Sequence, residues 1–231
     1  MRVQPVWMAL LAALLLLTAC AAPAAPVHSS KEAAQVREES LPAGGSEAVF
    51  GCDALFFGDS ITADSEFDRD LPGLRVVNLG VYGDRLEDLL RRVPQVQAEA
   101  PARIFLLGGI NSLQDDRLEA CVDQYRELLA ALREACPASE IVVQTVLPVG
   151  AEITQPLGCS NETIRAFNLR LRALAEEFGL ECLDLYSVYE KDGALDPELT
   201  RDGVHLNFNA YGPWAELLQA MIGDGSHAAV Q

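Results

Sequence analysis

The sequence has little positive charge and little histidine. Its 231 residues contain 17 Lys and Arg against 34 Asp and Glu, which gives a formal net charge of −17, and three His. Nucleic acids and anionic lipid surfaces are bound largely through clustered cations, so this composition argues against both as electrostatic partners. Because histidine is the commonest general base, the three candidates can be weighed one by one.

The sequence also lacks the cysteine and histidine spacings of a metal site. It contains no CxxC pair and no cluster of cysteine with histidine, so we expect no bound metal. Spacing alone does not specify which cysteines form disulfides, and the pairing is left open. The six cysteines are Cys20, Cys52, Cys121, Cys136, Cys159 and Cys182.

The apolar segment near the N-terminus is too short to span a membrane comfortably. It covers 6–18, follows a single positive charge at Arg2, and leads into Leu17-Thr18-Ala19-Cys20, which resembles a bacterial lipobox. We therefore predict a lipoprotein-type signal peptide over 1–19, cleavage before Cys20 and lipidation of that cysteine. The alternatives are an ordinary signal peptide and an uncleaved anchor. Each of them exports the chain, so we expect an extracytoplasmic protein that contacts the membrane only through its N-terminal lipid.

Composition divides the rest of the chain into three parts. Residues 20–47 are rich in Ala, Pro, Ser, Gly and Glu without a sustained apolar period, which predicts a flexible tether. Residues 48–224 are predicted to form one folded domain, and residues 225–231 a tail. His28 and His227 lie outside that domain, so His205 is the one histidine left inside it.

Short apolar runs alternate with helical patterns through the domain. Apolar residues at 3.6-residue spacing predict helices, one of them capped by Asp84 and the last covering Asn209–Ile222. Five strands alternating with helices indicate a three-layer α/β/α sandwich around a parallel sheet. The predicted strands are Ala54–Phe57, Arg75–Leu79, Arg103–Leu107, Glu140–Leu147 and Leu180–Leu183.

A serine follows the first predicted strand, where the next helix should begin. The run Leu55–Phe57 ends in Gly58-Asp59-Ser60, which places Ser60 at the carboxyl edge of the sheet, where ligands of such folds gather. A serine hydroxyl attacks an ester only if a base takes its proton and donors stabilise the oxyanion. His205 lies just before the last helix, and Asp202, three residues earlier, can orient its imidazole.

Two further strand ends supply hydrogen-bond donors. Gly80 follows the second strand, and Asn111 follows the third. With the Ser60 N–H, the Gly80 N–H and the Asn111 side-chain amide make three candidate oxyanion donors. Asp59 is interpreted as a hydrogen-bonding neighbour of the nucleophile, not as a catalytic group. Candidate pocket residues, for which packing or solvent exposure is at least as good an interpretation, are Tyr82, Arg85, Leu147, Pro148 and Trp214.

These blocks resemble the SGNH (GDSL) hydrolase family. They are Gly58-Asp59-Ser60-Ile61, Gly80, Gly109-Ile110-Asn111 and Asp202-Gly203-Val204-His205, in the order the family has them. The resemblance implies a flavodoxin-like five-stranded sheet without a metal or organic cofactor. It also implies Ser60 as nucleophile, His205 as base, Asp202 as its orienting group, and Ser60, Gly80 and Asn111 as oxyanion donors. Ser112 stands where many members have an acidic residue, so the support of Asn111 is expected to differ.

The resemblance implies a serine esterase. Its motifs are most similar to the acetylhydrolase and carbohydrate-acetylesterase branches. We therefore expect hydrolysis of small acyl esters, above all O-acetyl esters, on a glycan or on a small molecule. The alternatives are a lysophospholipase or thioesterase for longer chains, an acyltransferase between glycans, and an inactive glycan-binding lipoprotein. The oligomeric state is left open.

Overall fold

A five-stranded parallel sheet forms the centre of the protein. The computed structural model describes residues 48–225, and the strand order is β2-β1-β3-β4-β5. This order confirms the predicted α/β/α sandwich and its flavodoxin-like arrangement. The strands are β1 (Cys52–Gly58), β2 (Val76–Gly80), β3 (Pro101–Leu107), β4 (Glu140–Gln144) and β5 (Glu181–Leu183).

Eight α-helices, two 3₁₀ turns and a short hairpin complete the described part of the chain. The hairpin pairs β6 (Glu190–Lys191) with β7 (Ala194–Leu195). The helices are α1 (Ser60–Ala63), α2 (Phe67–Asp70), α3 (Leu86–Glu99), α4 (Leu118–Ala135), α5 (Thr154–Leu157), α6 (Asn161–Phe178), α7 (Tyr186–Tyr189) and α8 (Gly212–Gly225). Within residues 48–225 no helix is both long and apolar enough to cross a membrane.

The two faces of the sheet are buried in separate cores, which is why the strands are apolar throughout. Leu55 and Phe57 of β1 pack with the inner faces of α3, α4 and α6. Phe56, between them in the chain, faces the opposite core, with Phe67 and Trp214. Successive strand residues point to opposite faces, so a strand covered on both sides alternates between two cores and not between core and solvent.

The register of the central strands brings the predicted functional segments to one edge. Gly58, the last residue of β1, is paired with Gly80 of β2 on one side and with Leu107 of β3 on the other. Ser60 follows β1, a loop follows Gly80 at the end of β2, and Asn111 follows β3. These three segments therefore start side by side at the carboxyl edge of the sheet.

The fourth strand is shorter than predicted. The run Glu140–Leu147 was expected to be one strand, but β4 ends at Gln144. The next backbone groups are bonded to side chains of α6: Asn168 accepts from the Val146 N–H and donates to the Val146 carbonyl, each at 2.8 Å. Asn161 does the same for Val149, at 2.8 and 2.7 Å. These amides replace a neighbouring strand, so the chain stays buried without strand pairing.

Two predicted helix starts differ in the structure. Asp84 was predicted to cap α3, and this is wrong: Arg85 is the N-cap residue, and its N–H is bonded to Asp88 in the first turn. The Asp84 carboxylate pairs instead with Arg92. The last helix was predicted from Asn209, but a 3₁₀ turn (Phe208–Tyr211) comes first and α8 begins at Gly212.

The predicted signal peptide over 1–19, the tether over 20–47 and the lipidation site Cys20 lie outside the described residues. His28 and His227 lie outside them as well.

Candidate active site

Ser60 is held at the start of a short helix directly above β1. Asp59, the residue between strand and helix, has a buried side chain whose Oδ1 accepts the Ile61 N–H at 3.0 Å. This cap ends the strand and begins α1 within a single residue. Ser60 is the first helical residue, and its Oγ lies 2.9 Å from Nε2 of His205.

The Asp202 carboxylate lies against the His205 imidazole. Oδ2 of Asp202 lies 2.7 Å from Nδ1 of His205, while Oδ1 accepts the N–H groups of Val204 and His205 at 2.9 and 2.8 Å. Burial alone would raise the pKa of Asp202, but these two N–H donors and the imidazole lower it to about 2. The carboxylate is therefore ionised and accepts a hydrogen bond from Nδ1, which leaves Nε2 as an acceptor facing the Ser60 hydroxyl.

An ion pair joins the loop that contains His205 to the end of the helix that begins with Ser60. The Arg201 guanidinium pairs with Asp64 at 2.5 Å and donates to the Leu206 carbonyl at 3.1 Å. Asp64 follows α1, has a nearly fully buried side chain, and also accepts the Tyr82 hydroxyl. One carboxylate thus joins the segments after β1 and β2 to the His205 loop. This link could not be predicted from the sequence, because no spacing pattern pairs residues 64 and 201.

The three candidate oxyanion donors lie at the same sheet edge but differ in their bonds. The Ser60 N–H is at the first helical position, where backbone donors have no intrahelical acceptor. The Gly80 N–H donates to Oδ1 of Asn78 at 2.8 Å, a bond the sequence did not suggest. Asn111 donates one hydrogen of its Nδ2 to the Asp84 carbonyl at 2.9 Å, so one hydrogen of that amide is left for another acceptor.

Ser112 takes a structural role in this chain. Its Oγ accepts the Leu86 N–H at 2.9 Å, the first N–H of α3. The serine therefore anchors the loop after β3 to the start of α3, next to Asn111.

The candidate pocket residues separate into two groups. Leu147, Pro148 and Trp214 are buried, and Trp214 donates from Nε1 to Gln144 at 2.8 Å, so these three are core residues. Tyr82 and Arg85 are exposed at the edge that carries Ser60. Among residues 48–225, no group of three or more His, Cys, Asp or Glu side chains is placed to hold a metal ion.

Asp59 is expected to make folding stability depend on pH. Burial raises its pKa to about 7, against weaker opposing effects of the Ile61 N–H and His205. The contribution of the Asp59 carboxyl group to stability is therefore fully present below pH 4 and is lost as the pH rises through 7. Asp59→Asn keeps the Oδ1 acceptor and removes the charge, so we expect it to raise the free energy of unfolding at pH 8 by about 1–3 kcal/mol more than at pH 4.

The measurement is urea denaturation of both proteins at pH 4, 6 and 8. Asp68→Asn, which removes an exposed carboxylate on α2, is the matched control and should show no such trend. An Asp59→Asn effect that is the same at all three pH values would rule out ionisation of a buried carboxyl group as its cause.

Comparison with known proteins identifies the family of the chain. A family model described as the GDSL-like lipase/acylhydrolase family covers residues 56–212, from within β1 to the start of α8. The matched range includes Ser60, Gly80, Asn111, Asp202 and His205. No curated protein matches the chain.

Solved structures share the fold. A protein from Streptococcus pneumonia named for platelet activating factor is 25% identical, with a TM-score of 0.65 over 74% of this chain and 83% of that one. An acetyl xylan esterase is 20% identical, with a TM-score of 0.61 over 73% and 98%. A lipase/acylhydrolase from Enterococcus faecalis is 21% identical, with a TM-score of 0.62 over 74% and 96%. With the match to the family model, the chain belongs to the GDSL-like lipase/acylhydrolase family of carboxylic ester hydrolases.

Proposed function

We propose that the protein is an extracytoplasmic serine esterase that removes small acyl groups, above all acetyl, from a carbohydrate. The observation that carries the proposal is the continuous chain of contacts from Ser60 Oγ through the His205 imidazole to the Asp202 carboxylate, at 2.9 and 2.7 Å. Such a chain both activates a hydroxyl and stabilises the imidazolium that forms.

The proposed reaction has two halves. Ser60 Oγ attacks the ester carbonyl carbon while Nε2 of His205 takes the hydroxyl proton. The imidazolium then gives this proton to the leaving alcohol as the ester C–O bond breaks, which leaves an acyl group on Ser60. In the second half, water gives a proton to His205 and attacks the acyl carbon, and Ser60 recovers its proton when the carboxylic acid leaves.

The oxyanion of each tetrahedral intermediate is assigned to three donors. None of the hydrogen bonds described above uses the Ser60 N–H or the second hydrogen of Asn111 Nδ2. The Gly80 N–H takes part as a shared donor, because Asn78 Oδ1 also accepts it. Loss of one such donor typically lowers kcat by about 100- to 1,000-fold.

A carbohydrate ester is favoured by the surface around Ser60. Two exposed aromatic side chains, Tyr82 at 63% and Phe208 at 68% exposure, are attached to the same ion pair: Tyr82 is bonded to Asp64, and Arg201 lies over the Phe208 ring at 5.4 Å. Each ring presents an exposed apolar surface of the kind that packs against a sugar ring. The structural similarity to an acetyl xylan esterase supports the same substrate class.

The proposed location rests on residues 1–20. The short apolar run and the segment ending at Cys20 favour export and lipidation, so the enzyme would meet glycans outside the cytoplasm. A Cys20→Ser variant is expected to lose attachment to the membrane fraction and to keep its esterase activity.

The acyl specificity can be tested with p-nitrophenyl esters from acetate to decanoate, followed by acetylated xylooligosaccharides. We expect kcat/KM to be highest for acetate and to fall about 10-fold or more by octanoate, because a site adapted to an acetyl group binds a longer chain poorly in the transition state. Ser60→Ala gives the background rate. Release of acetate from the oligosaccharide would establish the carbohydrate substrate.

Other outcomes decide between the remaining functions. A preference for octanoate or decanoate would contradict the proposal in favour of a lysophospholipase or thioesterase, as the lipase/acylhydrolase neighbour would suggest. Transfer of the acetyl group to an added acceptor sugar in place of water would indicate an acyltransferase. Failure of every ester, together with no labelling by a fluorophosphonate probe, would indicate an inactive glycan-binding protein.

A further inference from the structure

Arg92 is an arginine on the buried side of a helix. It belongs to α3, whose inner face is formed by Leu89, Val93 and Val96, and its side chain is only 15% exposed. The adjacent Arg91 points outward and is 66% exposed. A guanidinium that leaves water is costly unless its donors are bonded, so the contacts of Arg92 indicate why it is there.

The first contact of Arg92 is with the peptide group of a proposed oxyanion donor. Its Nη2 donates to the Leu79 carbonyl at 2.6 Å. That carbonyl and the Gly80 N–H belong to one planar peptide unit, so fixing the oxygen fixes the direction of the N–H. A cation at the oxygen also polarises the peptide and makes the N–H a stronger donor.

The second contact of Arg92 leads to the other donor. Its Nη1 pairs with the carboxylate of Asp84, whose side chain is 10% exposed. The backbone carbonyl of the same Asp84 accepts a hydrogen bond from Asn111 Nδ2 at 2.9 Å. Arg92 therefore holds the residue that orients the Asn111 amide, and the two predicted donors depend on one guanidinium.

The remaining surfaces of the guanidinium are also engaged. Its central carbon lies 5.3 Å from the centre of the Phe57 ring, on the strand that leads to Ser60, and Nε donates to Gln95 at 3.2 Å. The planar group is thus fixed by a ring, a carbonyl, a carboxylate and an amide. A lysine has one ammonium group and cannot bond to the Leu79 carbonyl and the Asp84 carboxylate in the same geometry.

We propose that Arg92 is a positioning residue that aims the Gly80 N–H and the Asn111 amide at the oxyanion. This inference rests on the proposed serine-esterase function and adds a residue that does not touch the substrate. Its effect should appear in the transition state, where the donors matter most, and not in substrate binding.

The test compares Arg92→Leu and Arg92→Lys with the matched control Arg91→Leu, using p-nitrophenyl acetate. We expect Arg92→Leu to lower kcat by about 10- to 100-fold with KM changed by less than about 3-fold, and Arg92→Lys to recover only part of the loss. Arg91→Leu should retain the parent kcat. An Arg92→Lys or Arg92→Leu variant with the parent kcat would overturn the proposal.

A double-mutant cycle separates positioning from a general structural role. If Arg92 acts through the donors, Arg92→Leu should cost several-fold less in an Asn111→Ala background than in the parent protein. Equal losses in both backgrounds, or a fall in kcat that merely follows a loss of folded protein, would contradict positioning. If Arg92→Leu does not fold, the same cycle is run with Arg92→Lys.

Addition of guanidinium ion at concentrations below those that unfold the protein is a further readout. It should restore part of the kcat of Arg92→Leu and leave Arg91→Leu unchanged. If the proposed serine-esterase function is itself wrong, Ser60→Ala keeps the parent activity, and this distinguishes that outcome from failure of the Arg92 proposal. Loss of activity in Ser60→Ala with full activity in both Arg92 variants would refute the role of Arg92 alone.

Discussion

Removing the Ser60 hydroxyl or the His205 imidazole is expected to lower kcat for p-nitrophenyl acetate by about 10,000-fold or more. The Ser60→Ala, His205→Ala double variant is expected to be no worse than either single variant. The reason is that the two side chains form one unit, with Oγ 2.9 Å from Nε2, so the second removal takes away nothing that still functions. Steady-state rates of the three variants give the measurement.

Ser187→Ala is the matched control for this experiment. Ser187 is an exposed serine in α7 whose hydroxyl donates to Asp184, and its removal should leave kcat within about 2-fold of the parent value. A Ser60→Ala variant with more than a tenth of the parent rate would contradict the assignment of Ser60 as the nucleophile. A double variant whose loss equals the product of the single losses would mean that Ser60 and His205 act independently, in conflict with the observed contact.

We do not expect protonation of Asp202 to limit the proposed esterase activity at mildly acidic pH. The His205 and Val204 N–H groups and the imidazole outweigh burial and lower the pKa of this carboxyl to about 2. The group therefore stabilises the fold in its ionised form, and that contribution is lost only as the pH falls below 4 towards 2.

The fold could be predicted because the local sequence patterns and the parallel pairing of the strands specify the same arrangement. The apolar runs of β1 and β3 are covered on both faces, as the absence of polar alternation indicates. The serine could be placed because a strand, a glycine and a capping aspartate come directly before it. Parallel pairing then dictates that the ends of β1, β2 and β3 meet, which brings Asn111 to the same edge as Ser60.

Other features could not be predicted, because they depend on side-chain contacts that no local spacing pattern specifies. Asp84 is a residue type that often caps helices, but its carboxylate pairs instead with Arg92, eight residues later in the chain. The end of β4 is set by the amides of Asn161 and Asn168, which are 12 and 22 residues away from the backbone groups they bond. In each case a local propensity was overridden by a tertiary contact.

Arg92 itself left a weak signal in the sequence. It lies between Leu89 and Val96 on the apolar stripe of α3, where a charged residue is unexpected unless it has a partner. The stripe identifies the residue as unusual, but only the three-dimensional contacts identify the Leu79 carbonyl as its target.

Gly80→Ala is expected to destabilise the protein and to abolish most of its activity. A Cβ atom at Gly80 would lie 2.2 Å from the Ala63 nitrogen and 2.6 Å from the Ala63 Cα. Both atoms belong to the backbone of α1, so no side-chain rotation relieves the overlap, and either β2 or the helix that begins with Ser60 must move. We expect a loss of about 2–3 kcal/mol in the free energy of unfolding, measured by urea denaturation.

The accompanying loss of activity is expected to exceed what the loss of folded protein accounts for. A shift of α1 by a few tenths of an ångström separates Ser60 Oγ from His205, and a shift of β2 moves the Gly80 N–H away from the oxyanion. Gly212→Ala is the matched control: Gly212 is the first residue of α8, has a right-handed helical backbone, and offers open space, with nothing within 4 Å of where an added Cβ would lie. That variant should be neutral or slightly more stable. A Gly80→Ala protein with the stability and kcat of Gly212→Ala would show that β2 and α1 are not packed as closely as the structure has them.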